Sequence, residues 1–339
     1  MQAIFEIDTN RRTPKYLQIA HSVTKAIKQG KIKRGDRILS INELSNEFFL
    51  SRDTVQKAYD ILEKDRIIHA VPGKGFYINR TDIALSFRTL LIFNKLSSYK
   101  KLIYEGFVKA MAGKGNVDLK IHHSNVKVLE EIMNESLGEY DYYLVMPHFY
   151  DHLEEVNKIL KQVPKDKLIL IDKMVPHTFL QNAAIYQDFE NDISEALEAG
   201  LECLRKYHTL IYINPALILK PAEIEKGFRS FCNQYNFSYK ILGEMSPAHD
   251  VKAGEAYLVI EDMDLMNLIK SIRQKGLVLG TEIGIISYNE TPLKEVLLNG
   301  ITTISTDHYQ MGKMAAELIL QQKVARIKNP FTFIRRGSL

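Results

Sequence analysis

A polar run, Ser51-Arg52-Asp53-Thr54-Val55-Gln56-Lys57, is followed downstream by a glycine-flanked lysine, Gly73-Lys74-Gly75. Arginine, glutamine and threonine can read base edges in a major groove, and lysine can neutralise a phosphate. A second set is scattered through the rest of the chain: Asn94, Ser97, Ser98 and Tyr99, then His148 and Phe149, Asp172 and Lys173, Asp188, Asn214, Glu261 and Asp262, and Asn289 and Glu290. Carboxylates and amides can each engage two adjacent hydroxyls, and an aromatic ring can cover the C–H face of a sugar. Any one of these residues alone reads as a loop cap or turn; their recurrence after successive apolar runs is the signal. Ser98, Tyr99, His148, Phe149, Asp188, Asn214, Glu261, Asp262 and Asn289 form the expected ligand-binding set. His148 and His152 have the i, i+4 spacing that can clamp a metal, but Pro147 adjoins the first and no glutamate motif accompanies them, so no metal or cofactor is expected.

The basic run needs a small helical scaffold. Ile19, Val23 and Ile27 recur every fourth position between Tyr16 and Gln29, and Gly30 follows as a stop. Ser40, with Glu43 three residues on, predicts a capping box opening a helix that carries Ile41, Leu44 and Phe48. Ser51 predicts the cap of a third helix that buries Val55, Ala58, Tyr59 and Leu62 and leaves Arg52, Thr54, Gln56 and Lys57 on other faces. Ile67 to Val71 and Phe76 to Ile78 read as two short strands joined by the glycine-rich turn. The order predicts an α+β winged helix-turn-helix, and its expected partner is double-stranded DNA.

Charge is distributed to match. Residues 1–80 hold 15 Lys+Arg against 9 Asp+Glu, and the remainder holds 30 against 32. A basic excess confined to one quarter of the chain suits a domain that meets a polyanion. The two cysteines, Cys203 and Cys232, form no CxxC pair and suit buried thiols in a reducing compartment. No run of 18 apolar residues and no signal-like segment occurs, so a cytoplasmic protein away from membranes is expected. Neither a G-x-x-x-x-G-K-[ST] loop nor a G-x-S-x-G elbow is present, which argues against nucleotide hydrolysis and one class of serine hydrolase.

The segment from Tyr16 to Ile78 resembles the DNA-binding domain of GntR-type bacterial transcription regulators. The resemblance rests on the Tyr-x-Gln-Ile opening, Gly35-Asp36-Arg37, Glu43-Leu44, Ser51-Arg52-x-Thr54-Val55 and the Gly73-Lys74-Gly75 wing. Leu39 departs from it by standing where proline usually precedes the cap; that loss softens a turn without removing the fold. The resemblance implies DNA contacts from Ser51, Arg52, Thr54 and Gln56, from Gly73 and Lys74 on the wing, and from Asn42 and Lys57 beside them.

Beyond it, residues 80–87 read as a linker, so that 1–79 form the head and 88–339 the body. Single cores stop growing near this length, and composition changes after Asn79. Apolar runs at 90–93, 142–146, 168–171, 210–213, 256–260 and 283–286 lie beside helix-length segments. That rhythm predicts an α/β body of two doubly wound lobes with parallel sheets, whose ligand sits beyond the carboxyl ends of the strands. The body resembles the effector domain of LacI/GalR-type repressors, related to periplasmic-binding-protein folds, most clearly at Ile283 to Asn289, Ile301 to Ile304 and Asp307 to Gly312. On that resemblance Asp188 and Asn289 fall on aspartate sites and Glu261 or Asp262 on an Asn-Asp site. Ile224-Glu-Lys-Gly227-Phe228 departs from the usual Arg-x-x-Gly-Phe, leaving Lys220, Lys226 and Arg229 as nearby cations. A GntR head on a LacI-like body is the arrangement of the arabinose repressor type. It implies a homodimeric repressor, not an enzyme, whose effector is a pentose or deoxyhexose. An amino acid or nucleobase effector, or an enzyme fused to the head, is the alternative.

Overall fold

The computed structural model describes residues 4–8, 14–81, 87–175, 181–215, 220–246 and 249–339, so the expected linker lies mostly outside the described residues. The chain divides into two compact units. One runs to Thr89 and takes in Gly113–Asn116 and Met133–Asp141; the other comprises Leu90–Ala112, Val117–Ile132 and Tyr142–Leu339.

The first unit holds α1 (Lys15–Lys28), β1 (Arg37–Ile38), α2 (Ile41–Glu47), α3 (Arg52–Lys64), β2 (Ile68–Val71) and β3 (Gly75–Ile78). The strands form an antiparallel sheet in the order β1-β3-β2. Ile19, Val23 and Ile27 of α1 share a core with Leu44 of α2 and with Val55, Ala58, Tyr59 and Leu62 of α3. Each large aliphatic side chain removed from water there contributes about 2 kcal/mol. Tyr59 meets Phe76 edge-on at 4.7 Å between ring centroids, and its hydroxyl donates to the Leu39 carbonyl, which fixes the strands against the helices.

Two α/β lobes follow. The first contains β4 (Phe87–Phe93), α4 (Ser98–Met111), β5 (Gly115–Ile121), α5 (Val126–Ser136), β6 (Tyr142–Val145), α6 (Leu153–Leu160), β7 (Leu168–Asp172) and β8 (Ala183–Tyr186). The second contains α7 (Phe189–Ala199), α8 (Leu201–Leu204), β9 (Thr209–Ile213), α9 (Glu223–Gln234), β10 (Ser238–Leu242), β11 (Glu255–Val259), α10 (Asp262–Lys275), β12 (Gly284–Tyr288), α11 (Pro292–Val296) and β13 (Thr302–Thr306). The chain returns to the first lobe through α12 (His308–Leu320) and β14 (Arg326–Lys328), and ends in the second with β15 (Phe331–Ile334). The sheets run β14-β8-β7-β6-β4-β5 and β10-β9-β11-β12-β13-β15. The central strands β7, β11 and β12 are buried along their whole length and β9 along all but its first residue, as strands covered on both faces must be.

Two glycines set a close helix contact. A Cβ on Gly106 would fall 2.2 Å from the Tyr309 carbonyl oxygen and one on Gly312 would fall 2.0 Å from that of Ile103, so α4 and α12 touch backbone to backbone. The three passages between the lobes are tied by the fully buried Asn329. Its backbone N–H donates to Tyr186, and its amide donates to Thr306 Oγ1 at 2.6 Å and to the Asp307 carbonyl at 2.9 Å. One residue, through its backbone and its side chain, thereby gathers all three crossovers at a common point.

Candidate nucleic-acid interface and interlobe polar site

Ser40 accepts from the Glu43 N–H at 3.2 Å while Glu43 accepts from the Ser40 N–H at 2.6 Å, the reciprocal cap expected from the spacing. These backbone and hydroxyl bonds, with the Arg37 guanidinium, hold the Glu43 carboxyl below its ordinary range. Arg37 also donates to the Lys74 carbonyl at 3.3 Å, so one guanidinium joins the first turn of α2 to the wing tip. Gly73 and Gly75 have φ of +72° and +102°, which glycine adopts without steric cost. The tip therefore turns tightly and leaves Lys74 exposed.

Ser51 caps α3 by accepting from the Thr54 N–H at 3.2 Å, and the two hydroxyls lie 2.7 Å apart. Arg52 is exposed on the first turn and Asn42 on the first turn of α2. Gln56 donates to Asp60 at 2.7 Å, and the Lys57 ammonium sits 5.4 Å over the Tyr16 ring. Arg52, Thr54, Gln56 and Lys57 thus share the N-terminal half of one helix, with the wing lysine tied to α2 beside it. The arrangement can set base-reading donors in a groove and a cation on the flanking phosphates.

In the body, the strand ends converge on Asp172. This residue closes β7 with φ +74°, a left-handed conformation that Asp tolerates better than most residues. His148 donates from Nε2 to Oδ2 of Asp172 at 2.7 Å, and the Gln187 amide donates to its other oxygen. Burial alone would raise the carboxyl; the His148 hydrogen bond, with the Lys100 charge, outweighs it and holds Asp172 below the usual carboxylate range. Burial likewise drives the His148 imidazole down against the pull of Asp172, so at neutral pH a neutral ring donates to a carboxylate. Lys100, 2 % exposed, donates to Asn94 Oδ1, and burial brings its ammonium down to about 8. Tyr288 reaches from the second lobe to Gln187 Oε1 at 3.5 Å, joining the ends of the two sheets.

Around this centre the His308 ring lies 4.8 Å from that of Tyr99, and its buried Nε2 has no hydrogen-bond partner. Burial pushes the His308 ring down to about 4. Tyr99 is half-buried, Ser98 is exposed at the start of α4, and Phe149 is buried face-on against His122 at 4.3 Å. His122 is fully buried. It donates from Nε2 to the Met146 carbonyl at 3.0 Å and accepts from the Ser124 N–H at Nδ1, so both nitrogens are satisfied in the neutral ring. Burial takes it down to about 4.

The second-lobe residues take separate positions. Asp188 precedes α7 and accepts from Asn191 at 2.7 Å. Asn214 donates to Glu225 at 2.6 Å, which also binds Arg229 at 2.8 Å. Glu261 precedes α10, and Asp262 lies 3.3 Å from the buried Lys294 ammonium. Asn289 is buried at the end of β12 with φ +65°, and its carbonyl and that of Tyr288 accept from Lys294 at 2.9 and 3.0 Å. The pairing places Tyr99, His148 and Phe149 in or beside the Asp172 network. Lys100, Gln187, Tyr288 and His308 belong to that network and were absent from the expected set, although Gln187 and His308 follow strands as the others do. His152 pairs with Glu155 at 3.3 Å while His148 is engaged with Asp172. Among the described residues no group of three or more His, Cys, Asp or Glu side chains is placed to hold a metal, and both cysteines are free.

Residues 15–78 match the family described as "Bacterial regulatory proteins, gntR family". The HTH-type transcriptional repressor YtrA of Bacillus subtilis (strain 168) is 30% identical over 107 residues, which span 32% of this chain and 78% of that protein. The chain belongs to the gntR family of bacterial regulatory proteins. This gntR-family protein is also 22% identical, over 91% of each chain, to the arabinose metabolism transcriptional repressor of Geobacillus stearothermophilus. Its body shares the fold of the lac repressor dimer bound to operator and the anti-inducer ONPF, with TM-score 0.61, 15% identity, and coverage of 75% of this chain and 94% of that one. The likeness establishes a winged helix-turn-helix head on a LacI-like, two-lobed body. Among the described residues no helix is long and apolar enough to cross a membrane.

Proposed function

We propose that this protein is a repressor of carbohydrate-utilisation genes that binds operator DNA as a homodimer and whose affinity is altered by a small sugar held between the lobes. The observation that carries the DNA half is the capped α3 with its exposed Arg52, beside a wing anchored by Arg37. Family membership supports the same reading. We assign base or phosphate contacts to Asn42, Ser51, Arg52, Thr54, Gln56, Lys57, Gly73 and Lys74. One head reads one short half-site, so useful specificity needs two heads.

The carbohydrate half rests on the Asp172 network and on the relative named for arabinose metabolism, which aligns over most of both chains. Charges in the network are offset internally: Asp172 by Lys100, with His148 and Gln187 donating to it as neutral groups, and Lys294 by Asp262. Such a site retains hydroxyl-matching groups, which favours a neutral pentose or deoxyhexose such as arabinose or fucose. We place Tyr99, His148, Phe149, Asp188 and Asn289 at this ligand, with Ser98, Asn214, Glu261 and Asp262 around it. A ligand changes DNA affinity only by its different affinity for two arrangements of the body, and the crossover point at Asn329 is where those arrangements would differ.

One observation favours a second effector class. Ile224 is buried where a sugar-gripping arginine is common, and Arg229 is engaged with Glu225 and Tyr239. An amino acid or nucleobase would be held without that arginine. Thermal-shift screening with sugars, amino acids and purines separates the classes, because a ligand that binds only the folded chain raises its melting temperature. Stabilisation confined to sugars supports the first class, and stabilisation confined to the others replaces it. We assign no catalysis, and turnover of any hit would overturn that assignment. For the second copy we assign the face carrying Met263, Met266, Leu293 and Val296, exposed by 65, 38, 66 and 75 %. The Lys294–Asp262 contact brings the helices that bear them together.

A further inference from the structure

Phe49 stands where the chain leaves α2 for α3. The Leu50 N–H donates to the Ser45 carbonyl at 3.0 Å across it, the bond that closes a Schellman turn, and Phe49 itself has φ +51°. Glycine normally fills that left-handed position, because any Cβ crowds the following carbonyl. A side chain that packed well could offset the crowding. Phe48 and Leu50 on either side do pack into the head core, but the Phe49 ring is 93 % exposed. Within this chain the strained backbone therefore gains no burial.

We infer that Phe49 contacts the operator, its ring packing on apolar atoms at the edge of the major groove. The inference rests on the DNA-binding reading above. Phe49 lies two positions before the Ser51 cap, so its Cα lies within about 7 Å of that cap. The N-terminal turns of a recognition helix enter the groove, and a phenylalanine ring there can cover a thymine methyl or a deoxyribose. The neighbouring exposed Arg52 supplies the attraction to phosphate that brings this end of the helix against DNA.

The test uses the full chain and a duplex that the wild-type protein selects from a randomised pool, with binding followed by fluorescence anisotropy. Phe49→Gly is expected to raise the melting temperature by relieving the left-handed strain and yet to weaken duplex binding by about fivefold, a typical truncation effect at a packed contact. The salt dependence should not change, since no phosphate charge contact is lost. Phe49→Asn, which tolerates the same backbone, should weaken binding equally if the glycine variant folds poorly. Replacing thymine by deoxyuridine in the duplex identifies the contact: a matching loss for wild type assigns the methyl, and undiminished binding assigns the deoxyribose. Variants that bind as tightly as wild type would overturn the inference. Failure of the wild-type chain to select any duplex would instead overturn the DNA-binding reading beneath it.

Discussion

Asp172→Asn removes one charge from the interlobe network while keeping its shape. In the native protein the carboxylate accepts from His148 at 2.7 Å and from the Gln187 amide, and it offsets the buried Lys100. An asparagine can still accept from one of these donors, but its own amide then faces the other, and Lys100 loses its compensating charge. Leaving buried donors without their charged acceptor costs about 1 to 3 kcal/mol. At about 2 to 4 °C per kcal/mol for a domain of this size, the melting temperature should fall by roughly 6 °C. Thermal unfolding of the full chain by circular dichroism would measure it, with Lys100→Met and the double variant completing a cycle. Because the double variant removes both charges together, it should lose clearly less stability than the two single losses combined. A loss below about 1 kcal/mol for Asp172→Asn, or strict additivity in the cycle, would refute the argument that these groups form one charged network.

Three further outcomes are expected. Arg52→Ala should weaken operator binding by about tenfold, as loss of a base or phosphate contact does, with ligand-induced stabilisation of the body unchanged in thermal-shift assays; loss of both together would contradict the division of labour. His122 and His308, held neutral with values near 4 against about 6.5 in an unfolded chain, contribute stability that is present above pH 6.5 and lost as pH falls toward 4. Each should cost about 2 kcal/mol between pH 7 and pH 5, and His308→Gln should flatten the profile in urea titrations across that range. Val296→Asp, on the exposed apolar face, should convert dimer to monomer in sedimentation experiments with less than about 1 kcal/mol change in unfolding, and an unaltered dimer would place the interface elsewhere.

Much of the head can be read from residues, because local chemistry decides it. The four-residue recurrence of Ile19, Val23 and Ile27 gives α1, and Ser40 with Glu43 gives a cap whose two reciprocal bonds both form. The buried strands β4, β6, β7, β9, β11 and β12 are visible as apolar runs. The edge strands β5 and β10 are not, because Gly115–Ile121 and Ser238–Leu242 mix polar with apolar residues where only one face is covered. The polar network was less legible. Lys100 follows Ser98 and Tyr99 on a helix and carries a side chain that is almost never fully buried unless paired, so its burial beside Asn94 is a tertiary fact. Gln187 and His308 sit one residue past β8 and two past β13, where the rule that marked Asp172 and Asn289 also applies. The hydrogen bonds that join them run between residues far apart in the chain, as between Tyr288 and Gln187, and no spacing encodes them.

The central claim is that a ligand in the body changes the grip of the head on DNA. The direct measurement is a titration of the full-length chain with its selected duplex, at fixed salt, in the absence and presence of saturating arabinose, fucose or another sugar that raises the melting temperature. The account predicts that the Kd for the duplex shifts by at least about fivefold when the sugar binds. A sugar that stabilises the body while leaving that Kd unchanged would contradict it.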